Sequence, residues 1–212
     1  MRAEAIFPPC ARLVIILHHP PDFGSGRGVV ARYPCRVRVV AGSLRGRKIE
    51  APKTKNTRPT TDKARQATFN ALGSLGVIED AVVVDAFAGS GAMGIEALSR
   101  GAKHCTFIES DREALEVLQT NLANLGLRER STVVRGDALS RLDQVSDATL
   151  VIADPPYEFD RWAELFARVR GHLVVAESDR ELDAENPPVE GWEAIRVKRY
   201  GRAVVTFFQR LA

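Results

Sequence analysis

The tetrapeptide Asp154-Pro155-Pro156-Tyr157 carries the side chains best suited to chemistry in this chain. It follows the apolar run 148–153, which is typical of a buried parallel strand. Proline lacks an N–H, fixes φ and pushes the preceding residue into an extended shape, so the loop is stiff. The Asp154 carboxylate and the Pro155 carbonyl can then act as two fixed acceptors beside the flat Tyr157 ring, which suits a planar group bearing an NH2. A tight turn that closes a strand is the simpler alternative, since Asp-Pro pairs often start turns.

A second stretch, from Asp85 to Gly94, has the order strand, glycine-rich loop and helix. Glycines let the backbone approach a ligand closely, and the start of a helix offers unpaired N–H groups. Gly89, Gly91 and Gly94 match the dinucleotide-binding pattern G-x-G-x-x-G. A dinucleotide-dependent dehydrogenase is therefore one hypothesis, which Glu109 at the end of the next strand also fits. Against it, the Asp85 carboxylate would repel a pyrophosphate but would tolerate the cationic amino-acid end of S-adenosylmethionine.

Acidic residues follow four of the predicted strands. The four are Asp85, Glu109, Asp137 and Asp154. Ligands in parallel α/β sheets bind beyond the carboxyl ends of the strands, so we expect these acids to meet at one edge. A single acid after a strand is a common helix cap, but four in this order indicate a binding site at that edge.

Apolar runs alternate with helical stretches over most of the chain. The predicted strands are Ala81–Val84, Cys105–Ile108, Thr132–Val134, Ala148–Ala153 and His172–Ala176. The predicted helices are Met93–Arg100, Arg112–Leu125 and Phe159–Val169. This alternation predicts an α/β fold with a mostly parallel, twisted sheet and helices on both faces. Glu193–Val197 and Ala203–Gln209 predict an antiparallel edge pair at the C-terminal end, joined by residues 199–202.

The N-terminal part predicts a small β-hairpin and helix appendage. Residues 36–41 and 46–51 have the hairpin pattern, and Thr60–Asp62 is a helix start with a hydroxyl cap and an acid in the first turn. The apolar stripe expected to face the core comprises Ala64, Ala67, Thr68, Ala71, Leu72 and Leu75. Arg65 and Phe69 would then lie on a different, exposed face, where they could contact a ligand.

Charge is unevenly distributed along the chain. The net charge is +3, but residues 36–65 carry ten Lys or Arg against Glu50 and Asp62, a net of +8 that leaves −5 for the rest. Basic runs often form only a solvated surface, but these residues alternate with apolar positions in strand-like segments. We therefore favour a nucleic acid as partner. The residues expected to bind RNA phosphates are Arg38, Arg45, Arg47, Lys48, Lys53, Arg58, Lys198 and Arg199.

Length and composition limit the other classes of protein. At 212 residues the chain is one domain of good size with a small appendage. No apolar run is long enough to span a bilayer, and the three cysteines have neither disulfide nor zinc spacing. We therefore expect no metal site and a cytoplasmic protein. We divide the chain into a poorly ordered extension (1–35), a basic hairpin and helix (36–76) and the main domain (77–212).

Together these motifs resemble the RsmD family of bacterial 16S ribosomal RNA guanine-N2 methyltransferases, which belong to the class I S-adenosylmethionine-dependent methyltransferases. The resemblance covers about residues 36–212. It rests on Arg38–Gly42, Gly46–Lys48, Arg58–Asp62, Arg65, Phe69-Asn70, Asp85–Gly91, Glu109–Asp111, Asp154–Tyr157 and Tyr200-Gly201. The Arg-Pro-Thr stretch together with Asp-Pro-Pro-Tyr is fairly specific, whereas the glycine-rich loop alone is weak. Residues 1–35 lie outside the family pattern.

The resemblance implies a Rossmann-like class I methyltransferase fold, S-adenosyl-L-methionine as cofactor, and 16S rRNA or an assembling small ribosomal subunit as partner. Independently of the resemblance, we expect a monomer. The resemblance also implies that Glu109 holds the ribose hydroxyls, Asp137 the adenine amine and the Gly89–Gly91 turn the methionine portion. The residues expected to bind the cofactor are Asp85, Phe87, Gly89, Gly91, Glu109, Ser110, Asp137, Ala138, Thr60 and Arg65. The catalytic set is Asp154, Pro155, Pro156 and Tyr157.

Three further functions are compatible with parts of the pattern. A DNA adenine-N6 methyltransferase shares the Asp-Pro-Pro-Tyr chemistry, but this chain has little length for a separate domain that reads sequence. A protein-glutamine methyltransferase more usually carries Asn at position 154. A non-catalytic RNA-binding module explains the basic segment but leaves the four acids without a role.

Overall fold

The computed structural model describes residues 37–52, 62–182 and 190–211. A two-stranded hairpin consists of β1 (Val37–Arg38) and β2 (Lys48–Ile49). The strands of the main sheet are β3 (Val82–Asp85), β4 (His104–Glu109), β5 (Ser131–Arg135), β6 (Leu150–Ala153), β7 (Leu173–Ser178), β8 (Trp192–Tyr200) and β9 (Ala203–Arg210). The α-helices are α1 (Asp62–Ser74), α2 (Ala92–Ser99), α3 (Arg112–Leu125), α4 (Ala138–Arg141) and α5 (Trp162–Arg168).

The main sheet, within the described residues, has the strand order β5-β4-β3-β6-β7-β9-β8. The first five of these strands are parallel, whereas β9 runs antiparallel to β7 and β8 antiparallel to β9. The predicted mostly parallel sheet with an antiparallel C-terminal pair is therefore confirmed. The chain order reverses at β3, which lies between β4 and β6, so a crevice opens at the carboxyl ends of these strands.

Successive residues of the central strands enter two hydrophobic cores. Val83 and Phe107 belong to the core shared with α2 and α3, and their neighbours Val84 and Ile108 belong to the core shared with α5. Because side chains alternate along a strand, this period of two places one core on each face of the sheet. The central strands are thus covered on both faces, which explains why their sequences are continuous apolar runs.

The N-terminal hairpin shares the core that contains α2 and α3. Val37 pairs with Ile49 in antiparallel register, and both side chains are buried in that core. The hairpin has the predicted topology, but its strands are shorter than the predicted ones. Residues 41–46 turn between them.

Two buried polar side chains hold the hairpin against the helices. Glu96 of α2 accepts hydrogen bonds from the N–H groups of Val40 and Ala41, at 2.7 and 3.0 Å. Asn121 of α3 accepts from the N–H of Glu50 and donates to its carbonyl, both at 2.9 Å. Because both side chains are buried, water does not compete for these bonds, and the hairpin backbone is fixed along the two helices.

The buried face of α1 differs from the predicted one. Arg65 and Phe69, which we expected on an exposed face, are both 0% exposed, whereas Leu75 of the predicted core stripe is 37% exposed. Arg65 is buried because it has polar partners. Its Nη2 donates to the carbonyl at the end of β1 at 2.5 Å and to Asp62 at 2.9 Å. Its Nε lies 3.7 Å from Glu96, so the prediction of an exposed face was wrong because it took no account of this ion pair.

The C-terminal hairpin is longer than predicted. β8 continues through Tyr200, which pairs with Ala203, so Gly201 and Arg202 alone form the turn. Gly201 has a φ of 65°, in the left-handed region that glycine adopts without steric cost. Two-residue turns with glycine in the first position match the twist of the strands they join. From this turn β8 and β9 pair without a break back to Arg196 and Phe207, where the register shifts.

The predictions for the extension 1–35, for the Thr60–Thr61 helix cap and for Lys53 and Arg58 lie outside the described residues. Across residues 37–52, 62–182 and 190–211, no helix is long and apolar enough to cross a membrane. The same residues contain no group of three or more His, Cys, Asp or Glu side chains that could hold a metal ion.

Candidate active site

The glycine-rich loop between β3 and α2 is folded by bonds to the strands on either side. The N–H groups of Ala86 and Ala88 donate to carbonyls in β6 and β4, at 2.9 and 3.0 Å. Gly89 then donates its N–H to Oε2 of Glu109 at 2.7 Å. The loop therefore bridges both neighbours of β3 at the edge of the sheet where the crevice opens.

The three glycines of the loop have different roles. A Cβ at Gly91, whose φ is 83°, would lie 2.4 Å from a Leu118 methyl group, and one at Gly94 would lie 2.3 Å from the Phe107 ring. These two glycines allow the loop to pack closely against α3 and allow α2 to pack closely against β4. Gly89 has a φ of 52°, and no described atom other than those of its chain neighbours lies within 4 Å of its Cβ position. Its backbone therefore borders open space on this side.

Asp85 ends β3 with an almost fully buried carboxylate, whose Oδ2 accepts a hydrogen bond from the N–H of Gly94 at 2.9 Å. The pKa of Asp85 rises from 3.8 to about 7, chiefly because burial disfavours the charged form. The Gly94 bond opposes this rise, and the negative charges of Asp154 and Glu109 add to it. A cation placed beside Asp85 would lower the pKa again, so the site favours a positively charged ligand group.

Glu109, at the end of β4, has a carboxylate that is held in place by backbone donors. Its Oε1 accepts from the N–H groups of Ser110 and Asp111, at 2.8 and 2.7 Å. Its Oε2 accepts from Gly89. A carboxylate has about four lone-pair positions, so Oε2 keeps capacity for a ligand hydroxyl. The three bonds fix the orientation of that acceptor.

Asp137 follows β5 with an exposed carboxylate at the start of α4. Its Oδ1 accepts from the N–H of Ser140 at 3.2 Å, so it serves as the N-cap of that helix. Ala138, the next residue, is buried. Each of the four predicted acids thus follows a parallel strand at the same edge of the sheet. Asp137 combines the capping role with acceptor capacity that faces solvent.

The loop after β6 emerges beside the glycine-rich loop. β6 pairs with β3 so that Ile152 lies opposite Asp85, and Asp154 comes two residues beyond that pair. The charge of Asp154 reaches the Asp85 carboxylate and contributes to its raised pKa. Pro155 is buried and Tyr157 is half-buried, so the aromatic ring stands at the mouth of the site rather than in the core.

Aromatic side chains join the loops after β3 and β6. The ring centroid of Phe87 lies 5.3 Å from that of Phe159, which lies 5.1 Å from that of Trp162, and both pairs meet edge to face. The N–H of Phe159 donates to the carbonyl of Pro156 at 2.9 Å. Pro156 itself is exposed. The sequence analysis included Phe87 among the candidate site residues but not Phe159 or Trp162. The signal available for these two was their closeness in sequence to the tetrapeptide 154–157. These contacts hold the two loops at a fixed separation.

The basic residues expected to bind RNA are exposed wherever the structure describes them. They are Arg38, Arg45, Arg47, Lys48, Lys198 and Arg199, while Lys53 and Arg58 lie outside the described residues. Arg38 and Arg47 each donate to a backbone carbonyl, at 2.9 and 2.8 Å, and Arg199 pairs with Glu181 at 2.5 Å. Exposed contacts of this kind are weak, so phosphates can replace them at little cost. The RNA-binding role stays a prediction.

Two residues expected to contact the cofactor belong to the region of α1. Thr60 lies outside the described residues. Arg65 is fully buried and its described contacts are with Asp62, Glu96 and the end of β1. These contacts are structural, and a contact between Arg65 and the cofactor stays a prediction.

Two residues that the sequence did not indicate lie beside predicted ones. Asn121, besides its bonds to Glu50, donates to the carbonyl of Ser90 in the glycine-rich loop at 2.9 Å. Arg202, in the turn between β8 and β9, places its Cζ 5.6 Å from the centroid of the Tyr157 ring. An Asn on the buried side of a helix, such as Asn121, is only a weak indication of a functional residue in the sequence. The contact between Arg202 and Tyr157 depends on tertiary structure.

Known proteins resemble this chain over nearly all of the described part. A family model described as conserved hypothetical protein 95 matches residues 37–209. Ribosomal RNA small subunit methyltransferase D of Escherichia coli strain K12 is 36% identical over 185 residues, which cover 84% of this chain and 91% of that protein. The solved structure of the Escherichia coli protein yhhF has a TM-score of 0.72 at 36% identity and covers 84% of this chain and 99% of that chain.

A more distant solved structure has the same fold. An RNA methyltransferase from Salinibacter ruber, solved in complex with S-adenosyl-L-homocysteine, has a TM-score of 0.57 at 21% identity. It covers 73% of this chain and 94% of that chain. The predicted Rossmann-like class I methyltransferase fold is thereby confirmed.

Proposed function

This chain belongs to the conserved hypothetical protein 95 family, the RsmD family of ribosomal RNA methyltransferases. From this premise we propose that it methylates the exocyclic N2 amine of a guanine in 16S rRNA of the small ribosomal subunit. The methyl donor is S-adenosyl-L-methionine. One observation carries the proposal. The stiff acceptor pair of Asp154 and the Pro155 carbonyl emerges beside the buried Asp85 and the glycine-rich loop. We expect the enzyme to act in the cytoplasm as a monomer.

The residues at the carboxyl edge of the sheet fit this cofactor. The open space beside Gly89 would receive the methionine portion, and Glu109 keeps an acceptor for a ribose hydroxyl. The exposed carboxylate of Asp137 suits the adenine amine, and the buried carboxylate of Asp85 favours a cationic neighbour. We assign Phe87, Ser110 and Ala138, which follow the same strands, to the same cofactor site. When bound, the cofactor supplies an electrophilic methyl group on a sulfonium.

The chain's own residues would place and prepare the acceptor amine. A guanine turned out of its stack would lie against the Tyr157 ring. The lone pair of its N2 is delocalised into the base, so the amine is a poor nucleophile. Hydrogen bonds from the NH2 to Asp154 and to the Pro155 carbonyl would draw the nitrogen towards tetrahedral geometry and expose the lone pair. Most of the rate gain would come from placement and preset dipoles rather than from a strong base.

The basic residues would deliver the RNA. Arg38, Arg45, Arg47 and Lys48 lie on the N-terminal hairpin, and Lys198 and Arg199 lie on β8. Lysine and arginine bind phosphates without reading sequence, so these residues would supply affinity and orientation. Lys53 and Arg58 complete the proposed set.

Labelling of unmethylated small ribosomal subunits tests the proposed function. The protein is incubated with labelled S-adenosylmethionine and either small subunits or naked 16S rRNA, and the labelled nucleoside is then identified. We expect N2-methylguanosine at a single position. Labelled N6-methyladenosine, methylation of DNA instead of RNA, or no labelling at all would each contradict the proposal.

Thermal unfolding distinguishes this function from that of a dinucleotide-dependent oxidoreductase. S-Adenosylhomocysteine should raise the melting temperature, because a ligand that binds only the folded state stabilises it. NAD should leave the melting temperature unchanged, because the Asp85 carboxylate disfavours a pyrophosphate. Stabilisation by NAD alone would support the oxidoreductase instead.

A further inference from the structure

The turn between β8 and β9 lies at the same edge of the sheet as the candidate active site. β9 runs antiparallel to β7, with Ser178 at the carboxyl end of β7 opposite Val204 near the start of β9. The start of β9 is therefore level with the carboxyl ends of the parallel strands, and Gly201 and Arg202 extend beyond them. The register of the sheet brings this turn to the place where the loop after β6 emerges.

Arg202 reaches the Tyr157 ring from this turn. Its Cζ lies 5.6 Å from the ring centroid, within the ~6 Å limit of a cation–π contact. Arg202 is exposed and Tyr157 is half-buried, so the contact lies at the mouth of the site. Within the described part of the chain, Arg202 makes no hydrogen bond or ion pair. Its guanidinium donors are therefore available to a ligand.

Two other arginines that lie over aromatic rings in this fold are anchored more firmly. Arg210 lies 4.4 Å from the centroid of the buried Trp192 and also donates to a backbone carbonyl at 3.2 Å. Arg100 lies 5.4 Å from a second buried ring and pairs with the buried Glu96 at 2.8 Å. Both are held by hydrogen bonds as well as by the ring. Arg202 has only the ring contact among the described residues, so its position adds little to the stability of the fold.

We propose that Arg202 closes over the target base and holds it between its guanidinium plane and the Tyr157 ring, an inference that rests on the proposed function. A base stacked between the guanidinium plane and the ring requires these two planes to be separated by twice the ~3.4 Å rise of stacked bases, which is roughly 7 Å. The present separation is 5.6 Å, so the guanidinium moves outward by roughly 1.5 Å as the base enters. An exposed side chain on a turn makes such a movement readily.

Stacking from both faces serves the chemistry of the site. Proteins stack unpaired RNA bases on aromatic rings and on guanidinium planes. The Tyr157 ring alone would fix one face of the base and leave it free to tilt away. With Arg202 on the other face, the plane of the base is fixed, and its NH2 stays directed at Asp154 and the Pro155 carbonyl.

Kinetics of Arg202→Ala and Arg202→Lys with the small-subunit substrate test this inference. We expect Arg202→Ala to lower kcat/KM about 10-fold, in the range of one lost base-stacking contact, with unchanged stabilisation by S-adenosylhomocysteine. Lysine keeps the charge but lacks the plane, so Arg202→Lys should be similarly impaired. The salt dependence of RNA binding should match that of the wild type in both variants. Tyr157→Ala combined with Arg202→Ala should lose little more than Tyr157→Ala alone, because the stack needs both partners.

Arg128→Ala is the matched control, since Arg128 is an exposed arginine in the segment that leads into β5, at the opposite edge of the sheet. It should have wild-type kinetics. Wild-type kinetics for Arg202→Ala would overturn the inference. So would full activity of Arg202→Lys together with a shallower salt dependence of Arg202→Ala, which would identify a phosphate contact instead. If the wild-type protein methylates no RNA, the proposed function falls, and the inference falls with it.

Discussion

Asp85 and Asp154 end neighbouring parallel strands, but their surroundings prepare them for different tasks. Asp85 is buried, accepts the N–H of Gly94, and has a pKa near neutrality. Asp154 stands further out on a loop stiffened by two prolines, beside the half-buried Tyr157. Carboxylates in such different environments are typical of functional sites, where each group is adjusted to one role. These surroundings support the proposed roles, in which Asp85 senses the charge of the cofactor and Asp154 holds the amine.

Replacement of Asp154 by Ala separates these roles. We expect kcat to fall at least about 100-fold, the usual cost of losing one preorganised polar contact to the reacting group. The affinity for S-adenosylhomocysteine should stay unchanged, because Asp154 would contact the amine and not the cofactor. Single-turnover kinetics and calorimetric titration measure the two quantities. Asp160→Ala, which removes an exposed carboxylate on the same loop, is the control, and wild-type turnover of Asp154→Ala would refute the role.

The raised pKa of Asp85 predicts a pH dependence of stability. Between about pH 4 and pH 7 the folded state keeps a proton on Asp85 that the unfolded state has released. This group therefore lowers the free energy of unfolding as pH rises through that window, by up to about 1.4 kcal/mol per pH unit. Asp85→Asn keeps an acceptor for Gly94 but does not titrate, so its stability relative to the wild type should increase over the same window. Urea unfolding at a series of pH values measures this difference, and parallel pH profiles would contradict it.

Among the elements, the N-terminal hairpin has the most informative position, because it lies along the whole of α2. The N–H of Ser43 donates to the carbonyl of Ser99 at the end of that helix, at 2.8 Å. Glu50 is bonded through Asn121 to Ser90 in the glycine-rich loop. A helix of this length spans about 12 Å. The hairpin, with its exposed basic residues, therefore begins next to the glycine-rich loop and continues for the full length of α2.

Glu96→Gln should loosen this hairpin. The Glu96 carboxylate accepts from two backbone N–H groups, pairs with Arg100 and lies 3.7 Å from Arg65. An amide would present an NH2 to one of these donors and leave Arg65 without its buried counter-charge. We expect the free energy of unfolding to fall by about 3 kcal/mol, as measured by urea denaturation. Glu79→Gln, at an exposed position, is the control. If Glu96→Gln lowered the free energy of unfolding no more than this control does, the anchoring role would be contradicted.

Some features of these elements were predictable from the sequence and others were not. Continuous apolar runs predicted the central strands because those strands are covered on both faces. The position of the four acids at one edge of the sheet was predictable because each lies at or just after a strand end, whereas their roles stay predictions. The buried face of α1 was missed because periodicity treats Arg65 as a surface residue, and its partner Glu96 belongs to another helix. The contact between Tyr157 and Arg202 was missed because it depends on the register of β9 against β7.

At the scale of the whole molecule, the uneven distribution of charge along the chain supports the proposed binding of RNA. Residues 36–65 carry a net charge of +8 within a chain of net +3, and Arg45 and Lys48 are exposed on the hairpin. Because bound phosphates release counterions, RNA affinity should fall steeply with salt.

The slope of log affinity against log salt concentration measures the phosphate contacts. Arg45→Ala and Lys48→Ala should each make it shallower by about 0.7 to 0.9. Lys103→Ala, which removes an exposed lysine at the opposite edge of the sheet, should leave the slope unchanged. An affinity that does not depend on salt would contradict a phosphate-binding surface.

The edge strand β8 affects how the protein behaves at high concentration. In the described part of the chain it pairs on one side with β9, and a bare strand edge is a template on which a second chain can add its own strand. The register of β8 slips between Ala194 and Arg196, and Lys198 and Arg199 are exposed further along it. An interrupted ladder that carries like charges is a poor template for its own copies. The residues that we assign to RNA binding on β8 would therefore also protect the protein against aggregation through this edge.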